Sequence, residues 1–316
     1  MKKHLKTLLC AVAGAVSISA FAQQDAQFSQ YMYNSLYINP GNAGIEGNPR
    51  FTAFHRSQWV GYGNGVTTPT TQVFTASLPV LALKGGLGVQ VVHDLPGGAS
   101  NLRNIDFQVS YSYHLKIAGG KLGLGIRTGV FSRSNSTQYE ATDAKDPVVD
   151  KMNNQSVSGI NPDFALGAFY YHNKWYAGAS LNHLVQFKYS DVYTQARRHS
   201  YFTAGYNFLL SSALVVTPSI LFKYDNTKFS SDYSAKFTYN TRYWAGLSFR
   251  QEDAIIPFIG LSMLKNNALS VGYALDLTLI NASGKSSSSH EIMLLYQLPQ
   301  VLPVIKPVIR TPRYRF

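Results

Sequence analysis

The chain has 316 residues, one cysteine and a formal net charge of +12, from 28 Lys and Arg against 16 Asp and Glu. One cysteine excludes an internal disulfide framework and a cysteine-built metal centre, and the bases are spread along the chain instead of forming the stripe that nucleic-acid binding needs. Beyond residue 22 no apolar run approaches the ~18 residues of a helical span, so anything that crosses a bilayer here does so as a closed barrel without unpaired strand edges.

Residues 1–22 read as a secretory signal peptide. Lys2, Lys3 and Lys6 make a positive start, Leu8 to Ala20 an apolar stretch, and Ala20-Phe21-Ala22 a small-x-small site before Gln23. Cys10 lies within it, so the mature chain is expected to be thiol-free, with 294 residues and a net charge of +9. Residues 23–49 are rich in Gln, Asn and Tyr and carry a turn at Asn39-Pro40-Gly41. They read as a short periplasmic segment or as a plug entering a lumen.

From residue 50 to 298 period-two alternation dominates. Ile105, Phe107, Val109, Tyr111 and Tyr113 share one face, with Asp106, Gln108, Ser110 and Ser112 on the other. The pattern predicts fourteen strands, at 50–60, 70–82, 85–93, 102–118, 120–133, 161–172, 173–184, 198–209, 212–225, 231–240, 241–251, 254–264, 267–279 and 288–298. Connections after odd strands are mostly long and polar, 134–160 the longest and 252–253 a short exception. Those after even strands are tight, as at Lys84-Gly85, Ala118-Gly119-Gly120 and Asn240-Thr241. Sorting of loops by length is the build of an all-β transmembrane antiparallel barrel, with short turns periplasmic and long loops outside. With an even count both termini are expected to emerge at the short-turn, periplasmic rim. Pro79, Pro218 and Pro257 each remove a ladder donor, and only Pro257, near a strand end, is easily placed.

With apolar rows facing lipid, Arg56, Gln58, Gln90, Asp106, Lys116, Arg127, Lys223, Lys236, Arg250, Asp276 and Glu291 face inward. A structural ion-pair network fits them better than a conduction path. Residues 299–316 are proline-rich (Pro299, Pro303, Pro307, Pro312), with four bases and no acid. Such a tail suits an extended docking peptide, in which Arg310, Arg313 and Arg315 offer forked donors and Tyr314 and Phe316 aromatic anchors.

Catalytic and cofactor signals lose to blander readings. His93-Asp94 are adjacent strand residues that point to opposite faces, and Gly178-Ala179-Ser180-Leu181-Asn182 is not a nucleophile elbow. Gly85-Gly86-Leu87-Gly88 and Gly123-Leu124-Gly125 precede no helix, so they read as small lumen-facing residues or turns and not as a dinucleotide loop. Eight histidines are scattered without metal spacing, and the acids of 134–160 lack a calcium-loop pattern. No enzyme activity, cofactor or metal is expected.

Several segments in order resemble the PorP/SprF family of type IX secretion membrane proteins. They are Phe28-Ser29-Gln30-Tyr31-Met32, Ile38-Asn39-Pro40 with Ala43-Gly44, Arg56-Ser57-Gln58-Trp59 and Asn161-Pro162-Asp163-Phe164. Trp175-Tyr176-Ala177-Gly178-Ala179-Ser180 with His183-Leu184, Trp244-Ala245-Gly246-Leu247-Ser248-Phe249-Arg250, Gly272-Tyr273 and Ser289-His290-Glu291-Ile292 complete the set. The resemblance implies a bacterial outer-membrane barrel surrounded by outer-membrane lipid. It implies protein partners too: periplasmic lipoproteins of the secretion and gliding machinery, or a secreted adhesin with a C-terminal sorting domain. The expected role is therefore docking, the alternative a porin-like channel for small solutes. Lumen filling discriminates between them.

Overall fold

A computed structural model describes residues 25–61, 68–97, 102–135, 157–185, 197–279 and 288–300. The strands are β1 (Arg50–Ser57), β2 (Thr70–Val80), β3 (Gly85–Leu95), β4 (Leu102–Ile117), β5 (Gly120–Asn135), β6 (Val157–Tyr171), β7 (Trp175–Asn182) and β8 (His199–Tyr206). They continue as β9 (Phe208–Leu209), β10 (Leu214–Tyr224), β11 (Phe229–Tyr239), β12 (Tyr243–Arg250), β13 (Ala254–Met263), β14 (Leu269–Thr278) and β15 (Ser288–Gln297). Each pairs antiparallel with its neighbours, β10 takes both β8 and β9, and β1 pairs with β15 from Arg50↔Gln297 to Ser57↔His290. β8 and β9 are pieces of one strand, so the barrel is closed and fourteen-stranded.

The prolines explain its interruptions. Pro218 of β10 lies between the Ser219↔Gly205 and Val216↔Phe208 pairs, and the ladder lapses there, dividing β8 from β9. Pro257 coincides with a gap between the Ile255↔Leu277 and Phe258↔Ala274 pairs of β13 and β14. Pro79 lies beyond Ser77, the last residue of β2 that β1 pairs. The tight turns use left-handed backbone. Ala118 and Gly119 have φ of 49° and 77°, Asn240 and Thr241 49° and 55°. Two successive positive φ values make the turn whose twist matches a hairpin.

The alternation sets the faces. On β4, Ile105, Phe107 and Val109 are exposed while Asp106, Gln108 and Ser110 are buried. Trp175, Tyr206, Tyr239, Tyr243 and Tyr296 stand outward near the short-turn rim, and Tyr224, Phe229 and Phe249 near the other. Paired aromatic girdles are the mark of a bilayer-spanning barrel.

Three expectations change. β6 starts at Val157, not 161, and β5 runs on to Asn135, so Asn161-Pro162-Asp163-Phe164 lies inside a strand. Pro162 had read as a strand opener. It is accommodated because β7 pairs β6 only from Leu166 onward. Lys116 shares the inward row with its register partner Lys121 but is exposed at the mouth instead of enclosed, because the pair lies one step from the turn. Several inward positions are apolar: Phe54, Val73, Leu221, Trp244, Ile256, Phe258 and Met293 are buried around the N-terminal segment.

Candidate functional site: a plugged lumen

The lumen is filled by the chain's own residues 25–49. A 3-10 turn (Tyr31–Tyr33), one helical turn (Ser35–Ile38) and a second 3-10 turn (Pro40–Asn42) fold the segment. Phe28, Tyr31, Leu36, Ile38, Ala43 and Ile45 are buried. Phe28 meets Tyr37 edge-on at 5.1 Å and Phe54 at 5.4 Å between ring centroids. This apolar cluster is the hydrophobic core of the molecule, placed where a channel would hold water.

A segment this short leaves backbone groups unpaired, and buried ones need partners. Barrel side chains supply them. Glu291 accepts from two successive amides, Ser29 N (2.7 Å) and Gln30 N (2.9 Å). Arg127 donates to the carbonyls of Leu36 (3.2 Å) and Tyr37 (2.8 Å), and Ser180 to that of Ile38 (2.7 Å). Ser112 donates to Gly41 O at 2.9 Å, and Lys121 to Ile45 O at 3.0 Å. In return Asn39 Nδ2 donates to Ala168 O (2.9 Å) and Ala179 O (3.0 Å). Glycines let the two backbones touch: a Cβ on Gly125 would lie 2.3 Å from Gly41 N, and one on Gly86 2.2 Å from Ala43 O. The glycine-rich pieces of β3 and β5 are thus the seat of the segment.

Six of the inward charges, Arg56, Asp106, Arg127, Arg250, Asp276 and Glu291, form two groups. Arg56 pairs with Asp276 (2.7 Å) and Glu291 (3.4 Å), and Arg250 with Asp276 (3.1 Å) and Asp232 (3.2 Å). Arg250 also donates to Phe28 O at 3.3 Å. Lys223, 3.0 Å from Asp232, extends this network. On the other wall Arg127 reaches Gln90 Oε1 (3.0 Å), and Gln90 Nε2 reaches Asp106 Oδ2 (3.2 Å). The tail residues Arg310, Arg313, Tyr314, Arg315 and Phe316 lie outside the described residues. His93 and Asp94 part as expected: His93 bonds Gln72 at 2.7 Å, and Asp94 takes Thr71 (2.7 Å) and Asn104 (3.1 Å).

One cluster escaped the sequence reading. Asp25 Oδ1 is 2.8 Å from His183 Nε2, and Asp25 Oδ2 is 2.9 Å from His199 Nδ1. Tyr201 donates to Oδ2 at 2.7 Å, and His183 Nδ1 is 3.0 Å from Asp163 Oδ2. Burial raises the Asp25 carboxyl, but His183 and His199 overrule it and hold it well below the usual carboxylate range. Burial lowers His183, yet Asp25 and Asp163 bring it well above the usual imidazole value. The two histidines flank the connection between β7 and β8, so residue 25 sits at the long-connection rim. The expectation that both termini emerge at the short-turn rim does not hold for the described N-terminal segment, which starts at the opposite rim with Asp25 and runs the length of the lumen before entering β1. No signal in the sequence joins Asp25 to histidines more than 150 positions away.

A closed barrel with apolar outer rows, aromatic girdles and a filled lumen defines an outer-membrane β-barrel protein. The profile of the type IX secretion system membrane protein PorP/SprF matches residues 20–296, and the chain belongs to that family. It is therefore an outer-membrane component of type IX secretion, a system in which it has protein partners. None of the curated proteins matches the sequence. Among solved structures it is similar to the Ralstonia pickettii toluene transporter TbuX, with 13% identity and a TM-score of 0.51 over 83% of this chain and 92% of that one. It is also similar to the Pseudomonas putida toluene transporter TodX, with 11% identity and a TM-score of 0.48 over 86% and 94%. At such identities the likeness concerns the fold.

Proposed function

We propose that the barrel acts by docking proteins and not by conducting solutes or by catalysis. The observation that carries this reading is the filled lumen, whose polar bore is occupied by residues 28–45 and cross-tied by buried ion pairs. The docking element is the tail 299–316. Leu298 N donates to Pro49 O at 2.9 Å, which supports a tail that starts at the short-turn rim, the side on which periplasmic lipoproteins would dock. Beside it opens a cavity of about 550 Å³ whose lining includes Tyr33, Arg50, Lys236, Trp244 and Lys265. Its cations and the tail's arginines favour an acidic partner surface. Prolines pre-set an extended tail and so lower the ordering cost of binding. A secreted adhesin with a C-terminal sorting domain is the alternative partner, and it would engage the long-connection side.

Two measurements test this. Removal of residues 303–316 is expected to leave a heat-modifiable barrel in the outer membrane while the periplasmic partner no longer co-purifies. Failure of the truncated chain to insert would make the tail an assembly signal instead. In planar bilayers the intact protein is expected to stay closed, and steady conductance would favour the porin-like channel.

A further inference from the structure

We infer that Asp25, His183 and His199 form a binding site for one divalent transition-metal ion of the zinc class. Two imidazole nitrogens and one carboxylate oxygen, one from each residue, lie within 4.8 Å of one another. That donor set suits zinc and its neighbours, whereas calcium and magnesium prefer all-oxygen shells. A tetrahedral ion with bonds of about 2.0–2.1 Å separates its ligand atoms by roughly 3.3 Å. Asp25 Oδ1 stands 2.8 Å from His183 Nε2 and Oδ2 2.9 Å from His199 Nδ1, so the carboxylate faces both imidazoles, and a rotation that brings one oxygen between them, with shifts of about an ångström or less, admits the ion.

Three independent features support the assignment. First, Asp163 lies 3.0 Å from His183 Nδ1, the nitrogen turned away from Asp25. A carboxylate behind a ligating imidazole fixes its tautomer and raises its basicity, which is the usual second partner of metal-bound histidine. Gln108 and the Phe164 amide in turn hold Asp163. Second, His199 is 3% exposed, its Nε2 has no hydrogen-bond partner among the described residues, and its Nδ1 faces only the Asp25 carboxylate, at 2.9 Å. A buried imidazole left so is costly, and a coordination bond through Nδ1 would satisfy the nitrogen that faces the carboxylate. Third, a cavity of about 30 Å³ adjoins Asp25 and His183, also lined by Asp94, Asp106 and Arg127. It has room for a water, the fourth ligand that a three-residue site requires, and its carboxylates outnumber its cations.

Binding replaces the proton that His183 Nε2 shares with Asp25, and that proton leaves to solvent. His183 then coordinates as a neutral imidazole, its Nδ1–H donating to Asp163. The ion would staple the start of the lumenal segment to both ends of the β7–β8 connection.

The test uses the full mature protein with a histidine-free C-terminal tag, purified in detergent and stripped with chelator. Zn²⁺ is then added, excess is removed by gel filtration, and bound metal is counted by mass spectrometry. One zinc per chain is expected, with Co²⁺ in its place giving the visible absorption of a four-coordinate site. His183→Ala and His199→Ala should each abolish stoichiometric uptake, and Asp163→Asn should weaken it about 10–100-fold. Heat-modifiability on gels reports folding of each variant, and His199→Gln replaces any alanine variant that fails it. Wild-type protein that takes up no zinc, or folded variants that take up as much as wild type, would overturn the site and leave a purely hydrogen-bonded latch.

Discussion

The side chains that hold the lumen together are charged, and their energetics differ from those of surface pairs. Arg250 is 2% exposed and joins Asp232, Asp276 and the Phe28 carbonyl. Breaking a buried pair costs about 3–5 kcal/mol, because the partner is stranded without water. In Arg250→Ala each aspartate keeps one cation, Lys223 or Arg56. The loss is therefore expected near the lower end of that range, read as a shifted urea midpoint in detergent. An unshifted midpoint would show that the network is hydrated. Gly125 gives a complementary probe. Its missing side chain is what admits the Pro40-Gly41 backbone, so Gly125→Val should lift the segment from its seat. A cysteine at buried Tyr37, in a chain carrying Cys10→Ser, should then label with maleimide much faster than without the glycine substitution. Equal rates would place the segment elsewhere.

Strand-level logic rests on the two faces. Leu247 on β12 is 52% exposed on the lipid side, whereas Thr238 on β11 lines the open cavity at the short-turn mouth. An arginine costs about 2–4 kcal/mol at the lipid-facing midplane and less where water reaches it. Leu247→Arg is expected to cut the yield of folded barrel sharply, and Thr238→Arg to be tolerated. The reverse ranking would turn the barrel inside out. The strands were legible because their alternation is enforced by two different solvents, and each predicted boundary of β4 lies within a residue of the observed one. The exceptions obey a second constraint. Phe54 shares its face with Thr52 and Arg56, so its role is unreadable until something apolar is known to occupy the lumen. The same holds for the rim cluster: Asp25, His183 and His199 meet only because the leading segment folds inward, and that folding depends on contacts remote in sequence.

For the whole molecule the sorting of connections predicts orientation. Single cysteines at Ser136, in the longest connection, and at Asn173, in a short turn, should differ on intact cells. An impermeant maleimide should reach the first and not the second. Labelling confined to Asn173 would invert the barrel. The candidate lumen charges were legible from the same alternation, since a polar residue on an inward row has nowhere else to go. Their division into two groups was not, because it depends on which wall the segment crosses.

The path of residues 25–49 also bears on biogenesis. They run from the long-connection rim down to Arg50 and straight into β1, the strand that closes the barrel against β15. A cord lying through a ring cannot easily be threaded once the ring is shut. The wall must gather around the segment while the β1–β15 seam is still open, which makes the segment a mandrel for the barrel and the seam the last joint to form. A barrel synthesised without this stretch would have to close around water, and slow or incomplete closure is the expected result.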